Sequence, residues 1–133
     1  MTERDVAGPA GDGTDPAWVR AAAEATAREV FAVIGTKWAL DAVNALAPGT
    51  LRFAELRREL PGISHKVLTQ TLRALERDGI VARTVHPTVP PRVDYRLTAA
   101  GRGLRDVVNG MCDWSRRHLA EILAARTRSG PTG

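Results

Sequence analysis

The sequence predicts a mainly α fold with a small β-hairpin (α+β), and three observations carry that prediction. Segments with apolar residues at helical spacing fill the chain before about residue 79 and again after residue 98. Between them, from Ile80 to Leu97, the pattern turns β-branched and alternating around the Pro-rich stretch Pro87-Thr88-Val89-Pro90-Pro91. The length of 133 residues suits one domain with a modest core, and with only 5% aromatics that core should be built from Leu, Val, Ile and Ala.

Residues 1–14 contain Gly, Pro, Thr and Asp without apolar periodicity and read as a disordered tail. Asp15-Pro16 reads as a helix start, with Asp as N-cap and Pro at the first helical position. The Ala-rich helix that follows should run from about Pro16 to Ile34, carrying Trp18, Val19, Ala22, Val30, Phe31 and Val33. Gly35-Thr36 interrupts it. A second helix is expected from Lys37 to about Ala47, with Trp38, Val43 and Leu46 as core candidates and Pro48-Gly49 as its end.

Thr50 to Leu60 places Phe53, Leu56 and Leu60 at helical spacing, and Pro61-Gly62 breaks the chain before the stretch Ile63–Gly79. Ser64 is suited to cap the next helix, because its hydroxyl can accept from a first-turn amide. Ile63 and Leu68 occupy the two positions of a hydrophobic staple, and Gly79 can take the left-handed conformation that closes the helix. At roughly 100° per residue, Val67, Leu68, Thr71, Leu72 and Leu75 share one arc. His65, Lys66, Thr69, Gln70, Arg73 and Arg77 share the opposite one. Taken alone, this is also the pattern of an ordinary amphipathic surface helix. Preceded by a short helix and a tight turn, it fits a helix-turn-helix, whose second helix presents its polar face to DNA.

Two strands are expected next, Ile80–His86 and Arg92–Leu97, with Val93, Tyr95 and Leu97 on one face. A hairpin directly after such a helix makes the wing of a winged helix-turn-helix. Thr98 then caps a final helix from about Ala99 to Ala125, close to 40 Å long at about 1.5 Å per residue. Leu104, Val107, Val108, Met111, Trp114, Leu119 and Ile122 form an apolar stripe along it. A helix this long outruns so small a domain, so its far half is expected to meet a second copy of the chain. Residues 127–133 read as a frayed tail, which leaves residues 15–126 as the domain.

The formal net charge is +4, and it is uneven. Residues 50–96 hold nine Arg and Lys against five Asp and Glu, whereas residues 1–49 hold four against seven. A basic centre suits a polyanion, although a merely soluble basic protein would share the composition. Cys112 is the only cysteine, so neither an internal disulfide nor a cysteine cluster for a metal can form within one chain. No apolar run approaches the roughly 20 residues of a membrane span. With no secretory leader after Met1, a cytoplasmic protein without membrane contact is expected.

Five segments in order then carry a family resemblance: Ile34-Gly35-Thr36-Lys37-Trp38, Leu51-Arg52-Phe53-Ala54-Glu55-Leu56, Gly62-Ile63-Ser64-His65-Lys66-Val67-Leu68, Leu75-Glu76-Arg77-Asp78-Gly79, and Val89-Pro90-Pro91-Arg92-Val93-Asp94-Tyr95-Arg96-Leu97-Thr98. Over about residues 25–115 the chain resembles the HxlR-type transcriptional regulators of bacteria. The resemblance implies a homodimeric winged helix-turn-helix repressor or activator, related in architecture to MarR-type regulators. It places Ser64–Arg77 in the major groove of double-stranded DNA and Arg92 on the wing. Many family members carry a Cys-Pro pair near the start of the pattern, and some sense oxidants with that thiol. Ala25-Thr26 stands there in this chain, so the resemblance does not carry a thiol switch over.

Lys66, Thr69, Gln70 and Arg73 are the candidates for reading bases, Gln for adenine and Arg or Lys for guanine. Some of them will touch only phosphate, and the sequence does not say which. Arg52, Arg58 and Arg77 are candidate phosphate contacts. His65 reads as a first-turn phosphate or base neighbour, and Ser64 as a cap beside them. Arg92 is either presented at the wing tip to the minor groove or a solvated turn arginine. Leu104, Val108, Met111, Trp114, Leu119 and Ile122 are the expected dimer interface. Trp18, Phe31, Trp38 and Trp114 are core or interface residues, or they line a pocket for an apolar small-molecule effector. Cys112 reads as a buried small hydrophobe, with an intersubunit thiol sensor as the other reading.

His65, His86 and His118 have no metal-ligand spacing, no phosphate loop or nucleophile elbow is present, and no cofactor is called for. An enzyme is not expected. The function class that competes with a DNA-binding regulator is a winged-helix protein-interaction module that has lost DNA binding.

Overall fold

The structure is a computed structural model and describes residues 15–130. The expected tail at residues 1–14 and the last three residues of the chain lie outside the described residues. The chain divides after Thr36 into two compact units, each taken by itself.

The first unit is helix α1, Ala17–Ile34. Its cap is Pro16, not Asp15. Pro16 has a ψ of 154°, outside the helical range, so Asp15 stands one residue too early to reach the first-turn amides. The Pro16 carbonyl accepts from Val19 and Arg20 N–H at 3.0 and 3.2 Å. Trp18 and Phe31 are exposed on this helix.

The second unit starts with α2, Ala39–Leu46, two residues later than the sequence suggests, with Trp38 at its N-cap. Ala39, Ala42, Val43 and Leu46 are buried along it. Strand β1, Leu51–Arg52, leads into α3, Phe53–Glu59. Helix α4 spans His65–Arg77. Strands β2, Val81–His86, and β3, Arg92–Leu97, form the hairpin. Helices α5, Ala99–Arg117, and α6, Leu119–Ser129, complete the unit. The core gathers Val43 and Leu46 from α2, Leu56 from α3, Leu68, Leu72 and Leu75 from α4, and Val81 and Leu97 from the hairpin, all nearly inaccessible to solvent.

The sheet has three antiparallel strands in the order β1-β3-β2, where a two-stranded hairpin was expected. Leu51 and Arg52 are extended just before α3 and pair with Tyr95 and Asp94. A strand of two residues is too short to show alternation. The hairpin register runs from Val81↔Leu97 to His86↔Arg92, which leaves residues 87–91 as its loop.

Ile80 ties three elements together. Its carbonyl accepts from the backbone N–H of Thr98 at 3.1 Å; the Thr98 hydroxyl is within donating distance of the Gly79 and Ile80 carbonyls, at 2.5 and 3.1 Å, and its oxygen accepts from Gly101 N–H at 3.0 Å. The start of α5 is thereby pinned to the residue joining α4 to the wing. Gly101 is obligatory at this junction, because a Cβ there would overlap the Ile80 carbonyl oxygen.

The single C-terminal helix expected over Ala99–Ala125 is two helices. His118, at φ −114° and ψ 13°, closes α5 and opens α6, with its ring bonded to Glu121 at 2.8 Å and tilted against Trp114. Helix α6 then continues to Ser129, so residues 127–129 form a last turn where fraying was expected. Of the expected dimer residues, Val108 is buried within this unit, Leu104 and Ile122 are half-buried, and Met111, Trp114 and Leu119 are each about half exposed. Val107 and Leu123 join the exposed apolar set. Cys112 is exposed, not buried as its apolar neighbours suggest. Among the described residues, no helix is long and apolar enough to cross a membrane.

Candidate nucleic-acid interface

Helix α4 sits where the sequence demands. The Ser64 hydroxyl accepts from Val67 N–H at 3.0 Å, which satisfies an orphan first-turn donor. At the other end Gly79 takes a φ of 72°, and Ile80 N–H reaches back to the Leu75 carbonyl at 2.9 Å. The buried Leu68, Leu72 and Leu75 fix the helix's rotation. His65, Lys66, Gln70, Arg73 and Arg77 are exposed as a result.

The turn between α3 and α4 is fastened by a residue the sequence reading passed over. Arg57 Nε donates to the Ile63 carbonyl at 3.2 Å. Arg57 and Arg58 border a cleft of about 740 Å³ together with Phe53, Ser64 and His65. The His65 ring lies 4.7 Å from that of Phe53, which orients the imidazole at the cleft's edge. Arg52 is the N-cap of α3; its backbone N–H donates to the Glu55 carboxylate at 2.8 Å, and its side chain makes no hydrogen bond in the cap.

Two of the expected contacts are partly engaged within the chain. The Thr69 hydroxyl donates to the His65 carbonyl at 2.8 Å, which leaves only its lone pairs for a base. Arg77 lies 3.9 Å from Asp78, at a position open enough for that pair to exchange freely with phosphate. Among the described residues, Lys66, Gln70, Arg73 and Arg58 have no ion-pair or hydrogen-bond partner.

The hairpin adds a second basic surface. Arg92 is the first residue of β3, opposite His86. It stands in the ladder beside the loop, while the loop's Val89 is fully exposed. Its Nε is buried 3.5 Å from Asp94 without a hydrogen bond, and the side chain as a whole is 40% exposed. His86 Nε2 is 2.8 Å from the other Asp94 oxygen. Arg52 and Arg92 line one cleft of about 540 Å³ with the loop residues Thr88–Pro91.

On the opposite face of the hairpin, Arg83 Nε is 3.6 Å from Glu76 of α4. These two, with Thr69, Leu72, Arg73 and Tyr95, enclose a small space of about 200 Å³. Burial raises the Tyr95 pKa above its ordinary value of 10.0; Arg83 and Arg73 pull it down and Glu76 pushes it up. Arg83, His86 and Asp94 carried no local signal, since only the hairpin register shows that they meet α4 or one another. Among the described residues, no group of three metal-ligating side chains is placed to hold an ion.

A capped, basic second helix after a clamped turn, followed by a hairpin with its own arginine, defines a winged helix-turn-helix protein with the build of a transcriptional regulator. The chain belongs to the HxlR-like helix-turn-helix family, whose model matches residues 33–122. It is 41% identical over 105 residues to the HTH-type transcriptional regulator YtfH of Escherichia coli, covering 79% of this chain and 83% of that protein. Among solved structures, it resembles a MarR-family transcriptional regulator of Enterococcus faecalis V583, with a TM-score of 0.69 and 33% identity over 87% of this chain and 99% of that one. The diamide-treated form of YodB from B. subtilis aligns with a TM-score of 0.64 and 34% identity, over 68% of this chain and 89% of that one.

Proposed function

We propose that the protein binds duplex DNA as a homodimer at a palindromic operator and regulates transcription there, working in the cytoplasm and catalysing no reaction. The observation that carries this reading is the outer face of α4, where Lys66, Gln70 and Arg73 are exposed and unpartnered while the leucines behind them are buried. Such side chains suit guanine and adenine edges in the major groove. Arg52, Arg58, His65 and Arg77 flank that face as phosphate contacts, and the Arg92 hairpin reaches the backbone or minor groove beside it. Residues 15–126 are the working domain.

The half-exposed Met111, Trp114 and Leu119, joined by Val107 and Leu123, support dimerisation through α5 and α6, with α1 assisting. Each large apolar side chain contributes roughly 1.5–3 kcal/mol when fully buried. Two-fold pairing would set the two α4 helices about 34 Å apart, one turn of DNA.

A mobility shift of duplex DNA across a salt series tests the reading. If each protomer neutralises about three to five phosphates, log K against log salt should fall with a slope on the order of −5 to −9 for the dimer. A slope near zero, or a monomer in sedimentation that still binds a palindrome tightly, would refute it.

A further inference from the structure

We propose that His86 is a further DNA-contacting residue, and that its contact to the phosphate backbone is made with a proton taken up on binding. This rests on reading α4 and the hairpin as the DNA face. The register pairs His86 with Arg92, Thr84 with Asp94 and Ala82 with Arg96 across the hairpin, and Arg52 with Asp94 across β1 and β3. Paired residues project to the same side of a sheet, and so do alternate residues along a strand. One face therefore carries His86, Arg92, Arg96 and Arg52 around a single carboxylate, Asp94.

That carboxylate fixes the imidazole's hydrogen. Asp94 Oδ2 lies 2.8 Å from His86 Nε2, and an ionised carboxylate can only accept, so Nε2 bears the proton. In the neutral ring Nδ1 is then a bare acceptor, which repels a phosphate oxygen. Only the imidazolium has N–H on both nitrogens, one for Asp94 and one for the phosphodiester. The His86 side chain is 32% exposed, and Nδ1 has no hydrogen-bond partner among the described residues.

A phosphate laid across His86 and Arg92 favours the imidazolium there. Histidine is the common side chain that changes charge near neutrality. The bound state thus holds more protons than the free state, so affinity rises as pH falls and is lost as pH rises. At its limit the effect is about tenfold per pH unit for each protomer.

Calorimetric titration of the full chain with a random-sequence duplex of about 30 base pairs, in two buffers of different ionisation enthalpy, counts the protons directly. Near pH 7.5, uptake should be measurable and at most about one proton per protomer. His86→Gln, whose amide keeps a donor for Asp94, should abolish that uptake and flatten the pH profile. His86→Lys, charged throughout, should take up none and bind tighter than wild type at about pH 8.5. Wild type that binds DNA without uptake, or His86→Gln that retains it, overturns the proposal and leaves the DNA-binding reading standing. Wild type that binds no duplex at low salt overturns that reading, and the proposal with it.

Discussion

Replacing Gly101 and Gly103 by alanine, two residues apart in α5, should move stability in opposite directions. Both lie within a helix, where alanine is favoured over glycine by about 1 kcal/mol. At Gly103 nothing lies within 4 Å of the added Cβ, so Gly103→Ala should stabilise by close to that amount. At Gly101 the new Cβ would overlap the Ile80 carbonyl oxygen and lie 3.2 Å from both the Ile80 carbonyl carbon and Leu97 Cδ2. The main obstacle is backbone, which cannot rotate aside, so the upper end of overpacking applies, about 3 kcal/mol or more. Moving α5 away would also weaken the Thr98 cap, a further loss of about 1 kcal/mol. Net destabilisation of about 3 kcal/mol or more remains after the propensity gain. A domain of this size lies between the ranges of roughly 2–4 and 4–8 °C per kcal/mol, so Gly101→Ala should melt at least about 6 °C lower. Thermal unfolding at one protein concentration measures both, since the midpoint of an oligomer depends on concentration. Equal and favourable shifts for the two variants would show that α5 does not press against Ile80.

Leu72→Ala should destabilise by about 2–5 kcal/mol in denaturant, because a side chain 2% exposed leaves a cavity behind; an unchanged midpoint would mean that α4 is rotated differently. Arg73→Ala should weaken operator binding by about 1–3 kcal/mol and relax specificity at one base pair, whereas a uniform loss over all sequences would make Arg73 a phosphate contact. Tyr95 is held neutral by burial, so its folded pKa exceeds the unfolded one. Its stabilising contribution is complete below pH 10.0 and is lost as pH rises through the folded value. Tyr95→Phe should remove that share of the alkaline instability, as read from unfolding midpoints across the alkaline range.

What was legible in the sequence was whatever neighbours in the chain decide. The Ser64 cap, the Gly79 terminus and the buried leucines of α4 follow from spacing within one helix, and the loop at residues 87–91 follows from its prolines. What escaped depends on partners distant in the chain. Leu51 and Arg52 become a strand only because Tyr95 and Asp94 are there to pair with them. Gly101 resembles any helical glycine until Ile80 is placed beside it. The break at His118 had no Pro or Gly to announce it, and its imidazole is held by Trp114 and Glu121. At the interface the polar face of α4 was readable from its period, but the engagement of Thr69, the Arg57 clamp and the Asp94 cluster were not.

The two faces of the hairpin make its register self-checking. Val81, Arg83 and Val85 pair with Leu97, Tyr95 and Val93 on one side, while Ala82, Thr84 and His86 pair with Arg96, Asp94 and Arg92 on the other. Shifting one strand by a single residue would exchange those sets. The buried Leu97 would turn toward water, and Arg96 would turn into the core beside Val81. β3 is anchored at its middle by β1, through Tyr95 and Asp94, and just past its C-terminal end by Thr98 on Ile80. An inserted or deleted residue can therefore be absorbed between His86 and Arg92, where the chain is loop, but within either strand it would scramble the charge pattern. Among natural variants of this fold, wing length should be free to drift at the tip while the ladders keep their count.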